Sequence, residues 1–107
     1  MKRMRTVWMA APVLWAAALG CAWVPLEPQA EAILVRAAGD VSGCERIGKT
    51  GTRTTDRIGP FARRESKVRQ ELEALARNEA AEMGGNAVAP LGEMAGGEQD
   101  FGIYRCP

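Results

Sequence analysis

The chain has 107 residues, 47% apolar and 25% charged, with a formal net charge of +1, three cysteines and no histidine. That length accommodates one domain with a modest core, and the near-neutral balance gives no nucleic-acid footprint, which shows as a strongly basic domain. The missing imidazole removes the commonest general base, a leading metal ligand and the ordinary sensor of near-neutral pH.

In chain order, the first feature is an address. Lys2, Arg3 and Arg5 precede an uncharged, apolar run from Val7 to Leu19 that only Pro12 interrupts. The run is shorter than the ~20 residues a membrane-spanning helix needs, so it reads as a signal peptide. It stops at Ala18-Leu19-Gly20-Cys21. Small residues leading directly into a cysteine resemble the bacterial lipobox, in which the thiol is diacylated and the chain is cut just before it. Ala18 stands where that motif usually has leucine, and Leu19 follows one place later. A plain signal peptide, or an uncleaved anchor with Cys21 a bystander, is the alternative. The resemblance implies a signal peptide over 1–20 and a covalent lipid, palmitate among its chains, on Cys21. One acyl chain binds a bilayer only marginally, so stable anchoring takes two or more. Ala22 follows the cysteine, where lipoproteins retained at the inner membrane commonly have Asp, so the resemblance implies delivery to the outer membrane, facing the periplasm.

Removing 1–20 discards three basic residues and none of the 13 acids, so the remaining chain turns slightly acidic. Residues 21–30 are then the lipidated cysteine and a short tether, and residues 31–107 a single domain. The stretch 22–30, AWVPLEPQA, has two prolines and reads as extended, reaching about 30 Å at most. Trp23 fits either the headgroup boundary or the surface of the domain.

A first strand is expected over Ala32–Ala37 and a second over Cys44–Thr54, where Gly48 and Gly51 suggest a bulge or a weak, exposed strand. Gly59-Pro60 reads as a helix entry, with proline where its missing N–H costs nothing. Gly84-Gly85 reads as the stop. Between them Phe61, Val68, Leu72, Leu75, Ala76, Ala80 and Met83 share one arc of a helical wheel, a single buried stripe. Glu65 and Glu79 fall inside that arc, where the helix edge would meet solvent. Strands are expected over Asn86–Leu91 and Gln99–Cys106, joined by a hairpin at Gly96-Gly97. The sum is an α+β class: a small ββαββ domain, one helix packed on a largely antiparallel sheet.

Four features in order carry a resemblance: Cys21, the lone Cys44, the sequence ARNEAAEMGGNAV at 76–88 and the terminal FGIYRC at 101–106. Together they resemble small bacterial lipoproteins of a domain-of-unknown-function family, and more distantly RcsF-like outer-membrane lipoproteins that report envelope stress. The resemblance implies a compact periplasmic domain on a lipid anchor, with no assigned activity. RcsF has a long proline-rich tether and four domain cysteines; this chain has a short tether and two.

With Cys21 taken by lipid, Cys44 and Cys106 are an even pair in an oxidising compartment, and a structural disulfide is expected. A redox or metal-binding thiol pair is the alternative, for which there is neither a CxxC nor a histidine. Arg53, Arg57, Arg63, Arg64, Lys67 and Arg69 gather around the expected helix entry, with Glu79 and Glu82 near its exit. This cluster is either a solvated charged face or an anionic-surface contact in which Arg63, Arg64 and Lys67 meet a lipid headgroup or peptidoglycan. Ser42 and Ser66 have no histidine to activate them, and the glycines of 92–97 lack the Gly-Lys-Ser/Thr of a phosphate loop. The expectation is a non-catalytic binding or interaction module of the cell envelope. It has no metal, no cofactor beyond the lipid on Cys21, and no nucleic-acid partner; its partners are the membrane and an envelope protein, headgroup or glycan. The alternatives are an envelope-stress sensor or regulator, and an accessory subunit of an envelope complex.

Overall fold

In the computed structural model, residues 25–107 are described. Residues 1–24, with the expected signal peptide, Cys21 and Trp23, lie outside them. Strands β1 (Leu34–Val35), β2 (Glu45–Arg53), β3 (Arg57–Ile58) and β4 (Phe61–Ala62) precede one helix, α1 (Glu65–Met83), which β5 (Ala87–Pro90) and β6 (Glu98–Arg105) follow. Single 3-10 turns occupy Pro28–Ala30 and Ala38–Val41. The main sheet has the order β1-β5-β6-β2, and β3 and β4 form a separate two-stranded hairpin. This is the expected α+β class.

The sheet is antiparallel across β5–β6 and β6–β2 and parallel across β1–β5. Proline explains why the parallel edge is so short. Leu91 donates its N–H to the Asp100 carbonyl of β6, so strand alternation turns the nitrogen of Pro90 toward the β1 side, where it has no proton to give. The expected strand over 32–37 thus keeps only Leu34–Val35. β2 is an edge strand with a register shift between Arg46 and Gly48, the irregularity its glycines suggest, and it is largely exposed.

α1 covers one face of the sheet. Val68, Leu72, Ala76 and Ala80 meet Val88, Phe101 and Ile103, and Ala30 and Ile33 complete this cluster. On the other face a smaller cluster joins Val41, Ala87, Ala89, Tyr104 and Cys106, with Cys44 packed against it. The Tyr104 ring lies so closely over Gly102 that a β-carbon there would be 2.7 Å from the phenol oxygen.

The helix ends as expected and begins elsewhere. Gly84, at φ +81°, sits beyond Met83; its N–H reaches Ala81, and the N–H of Gly85 reaches Ala80. This is the Schellman pattern, which satisfies carbonyls the helix would otherwise leave unpaired. Gly59-Pro60 is not the entry. Gly59 has φ +61°, outside the right-handed helical region, and makes the two-residue turn between β3 and β4. A primed turn with glycine first and proline second fits type II′, since type I′ would need positive φ at both positions. The helix starts at Glu65, after an extended Arg64 with no side-chain cap. Phe61 therefore leaves the buried stripe, and Met83 is also exposed. The Gly96-Gly97 hairpin holds: both glycines have positive φ, and a β-carbon on Gly97 would collide with the Thr54 carbonyl.

Part of the stretch expected as an extended tether is docked. Residues 25–33 lie on α1: Asn78 donates from Nδ2 to the Pro25 carbonyl (3.0 Å) and accepts the Glu27 N–H at Oδ1 (2.9 Å). Arg77 donates to the carbonyls of Ile33 (2.9 Å) and Glu31 (3.0 Å). Pro28 opens the first 3-10 turn, and Ala30 is fully buried. Two prolines favour an extended chain locally, but a small apolar residue and a two-pronged asparagine hold this one down.

Candidate functional site

Three places in the fold carry the residues that the sequence singles out. The first is the disulfide. Cys44 follows the second 3-10 turn and Cys106 directly follows β6, and the two are bridged across a separation of 62 residues. Closing a loop of that length contributes about 4 kcal/mol through unfolded-chain entropy. Asn86 reinforces the same end: its Nδ2 donates to the Cys106 carbonyl (2.9 Å) and its Oδ1 accepts the Cys106 N–H (2.8 Å). A bridged pair with its backbone pinned has a structural role, and its sulfurs are not available as thiolate ligands.

The second place is the basic end of the domain, where the three candidate residues separate. Arg63 turns inward. Its Nη2 donates to Glu71 Oε2 at 2.5 Å and its Nη1 to Glu71 Oε1 at 3.1 Å, and Nη1 also reaches the Thr55 carbonyl at 2.7 Å. The Thr54 hydroxyl donates to Glu71 Oε1 at 2.8 Å. The side chains of Arg63 and Glu71 are 14% and 8% exposed, so this is a forked, nearly buried ion pair. The Arg63 hydrogen bonds hold the Glu71 carboxyl below its ordinary value, against burial, with Thr54 and the nearby charges of Arg63 and Lys67 adding to the effect. The same bonds raise Arg63. Arg63 is thus a brace joining the β3–β4 hairpin to α1, while Arg64 and Lys67 are exposed.

Glu71 is the residue the sequence reading missed; Glu65 and Glu79 fall inside the apolar arc and Glu71 does not. Glu65 is exposed and Glu79 half-buried, whereas Glu71 is 7% exposed overall. Its only sequence signal is a carboxylate beside Leu72, one turn after Val68. Beside this pair, Arg57, Glu65, Val68 and Met94 are among the residues lining an open cavity of about 170 Å³. Ligand pockets for small molecules run to ~300 Å³ and more.

The third place is the hairpin tip. Ile58 and Phe61 are paired directly across the β3–β4 turn, and they are 66% and 72% exposed. Among the described residues, no helix is long and apolar enough to cross a membrane, and no group of three or more acidic or cysteine side chains is placed to hold a metal ion.

Comparison with known proteins adds one finding. The family described as Domain of unknown function (DUF4156) matches residues 24–106. No curated protein and no solved structure matches the chain.

Proposed function

The chain belongs to the DUF4156 family, and we propose that it is a lipid-anchored lipoprotein of the cell envelope, a non-catalytic binding or interaction module on the periplasmic side of the outer membrane. The observation that carries this reading is the place where the clamped domain begins. Pro25 is already held by Asn78, so only residues 22–24 separate it from Cys21, a reach of about 14 Å along an extended chain. A lipid on Cys21 would keep the domain against the bilayer surface, whereas a reaching sensor needs a long free tether. The signal sequence before Cys21 supports the same reading, and the Cys44–Cys106 bridge suits an oxidising compartment.

Cys21→Ser, expressed with its own signal peptide in a Gram-negative host, tests the anchor. The expected outcome is loss of labelled fatty acid and accumulation of a precursor that keeps residues 1–20. Normal processing and unchanged outer-membrane fractionation of that variant would overturn the proposal.

A further inference from the structure

The chain has two phenylalanines, and the fold treats them oppositely: Phe101 is fully buried and Phe61 is 72% exposed. Phe61 is exposed together with Ile58, its direct cross-strand partner. Paired residues of a hairpin leave the same face, so the two side chains form one apolar wedge at the tip. Isolated exposed apolar residues need no explanation. A paired Ile and Phe, braced in the open, differ because the fold spends hydrogen bonds on holding them there.

Arg63 braces the hairpin. The Arg63 N–H donates to the Asp56 carbonyl at the foot of the hairpin (2.8 Å), and the Arg63 guanidinium ties the same stretch to Glu71 of α1. The Gly59-Pro60 turn is short, and proline fixes φ at its second position. Charge then selects the occupant. Residues 57–64 hold three arginines and no acid, with Asp56 and Glu65 immediately outside; Arg63 is committed to Glu71 and Glu65 to Arg69, while Arg57 and Arg64 flank the wedge and are exposed.

We propose that the β3–β4 hairpin is a second membrane contact, in which Ile58 and Phe61 enter the headgroup boundary of an anionic bilayer and Arg57 and Arg64 meet lipid phosphates. The inference rests on the lipoprotein reading above. An apolar tip with a basic collar is the chemistry of interfacial insertion, and each arginine near an anionic surface adds to it. The contact need not be strong. A short link to an anchored lipid makes the second binding event intramolecular, with an effective concentration on the order of millimolar. The hairpin and Asn78 lie toward opposite ends of α1, so the lipid and the wedge would fix the domain's orientation as well as its location.

The test uses the mature lipidated protein in vesicles of phosphatidylethanolamine and phosphatidylglycerol, with nitroxide-labelled lipid as quencher. Phe61→Trp is read above the Trp23 background, with Lys49→Trp on the opposite sheet face for comparison; retained cooperative unfolding shows that each variant is folded. The indole introduced at the hairpin tip should emit at shorter wavelength and be quenched well beyond the indole introduced on β2. Replacing Arg57 and Arg64 with glutamate should weaken the contact by about tenfold or more while the protein still floats with the vesicles. A floating protein whose hairpin indole stays open to aqueous iodide would overturn the hairpin contact and leave the anchor standing. Protection of that indole by peptidoglycan sacculi alone, or by a second copy at raised protein concentration without vesicles, would also overturn it. Protein that carries no acyl group would remove both readings.

Discussion

Arg63 and Glu71 show how one buried pair settles what its neighbours do. A guanidinium and a carboxylate that are nearly out of water must satisfy each other, and breaking one partner leaves the other charge uncompensated. Here two forked hydrogen bonds, with Thr54 on the same carboxylate, meet that requirement. Glu71→Gln keeps the shape and removes the charge. It should lower the thermal midpoint at neutral pH by about 5 °C or more. Because the folded state holds the Glu71 carboxyl below 4.5, its stabilisation is fully present above that value and is lost as pH falls through the depressed one. Glu73 titrates in the opposite sense: burial raises its carboxyl, so protonation relieves it. Comparing the glutamine variant with the parent cancels the Glu73 contribution. The gap in midpoint should narrow as pH is lowered from about 7 toward about 3, and a gap of constant size would contradict the assignment.

Among the elements, those whose ends are decided locally were legible. Gly84-Gly85 closes α1 because a left-handed glycine is what a Schellman cap requires, and Gly96-Gly97 makes a hairpin for the same conformational reason. Gly59-Pro60 was ambiguous because proline is equally at home in the first turn of a helix and in a tight turn. The choice belongs to Arg63, whose partner Glu71 lies on another element. The docked segment 25–33 was hidden for a related reason: its two clamps, Arg77 and Asn78, are more than forty residues away. Asn78→Ala should release it. Two lost hydrogen bonds, each contributing about 1 kcal/mol, should speed amide exchange at Ala30 and Ile33 by up to about thirtyfold and leave the β2–β6 ladder unchanged. Unaltered exchange at those two amides would show that Arg77 and the burial of Ala30 hold the segment without Asn78.

At the scale of the whole molecule, the cysteines divide the work. The bridge between Cys44 and Cys106 fixes the C-terminal strand to the loop that covers the second core cluster, in a domain whose larger core is capped by a single helix. The fold class and the bridging pair could be read from sequence because hydrophobic patterning and an even remainder of cysteines are composition-level signals. The docking of residues 25–33 on α1 could not, since it depends on Asn78 and Arg77 holding a stretch that the prolines alone would leave extended. The proposed envelope role requires a lipid on Cys21. The most direct measurement is the intact mass, before and after reduction, of the protein extracted from the outer membrane. The expected mass corresponds to residues 21–107 with acyl groups on the N-terminal cysteine and one reducible bridge. A protein of that fraction that retains residues 1–20, or that begins at Cys21 with an unmodified thiol, would contradict it.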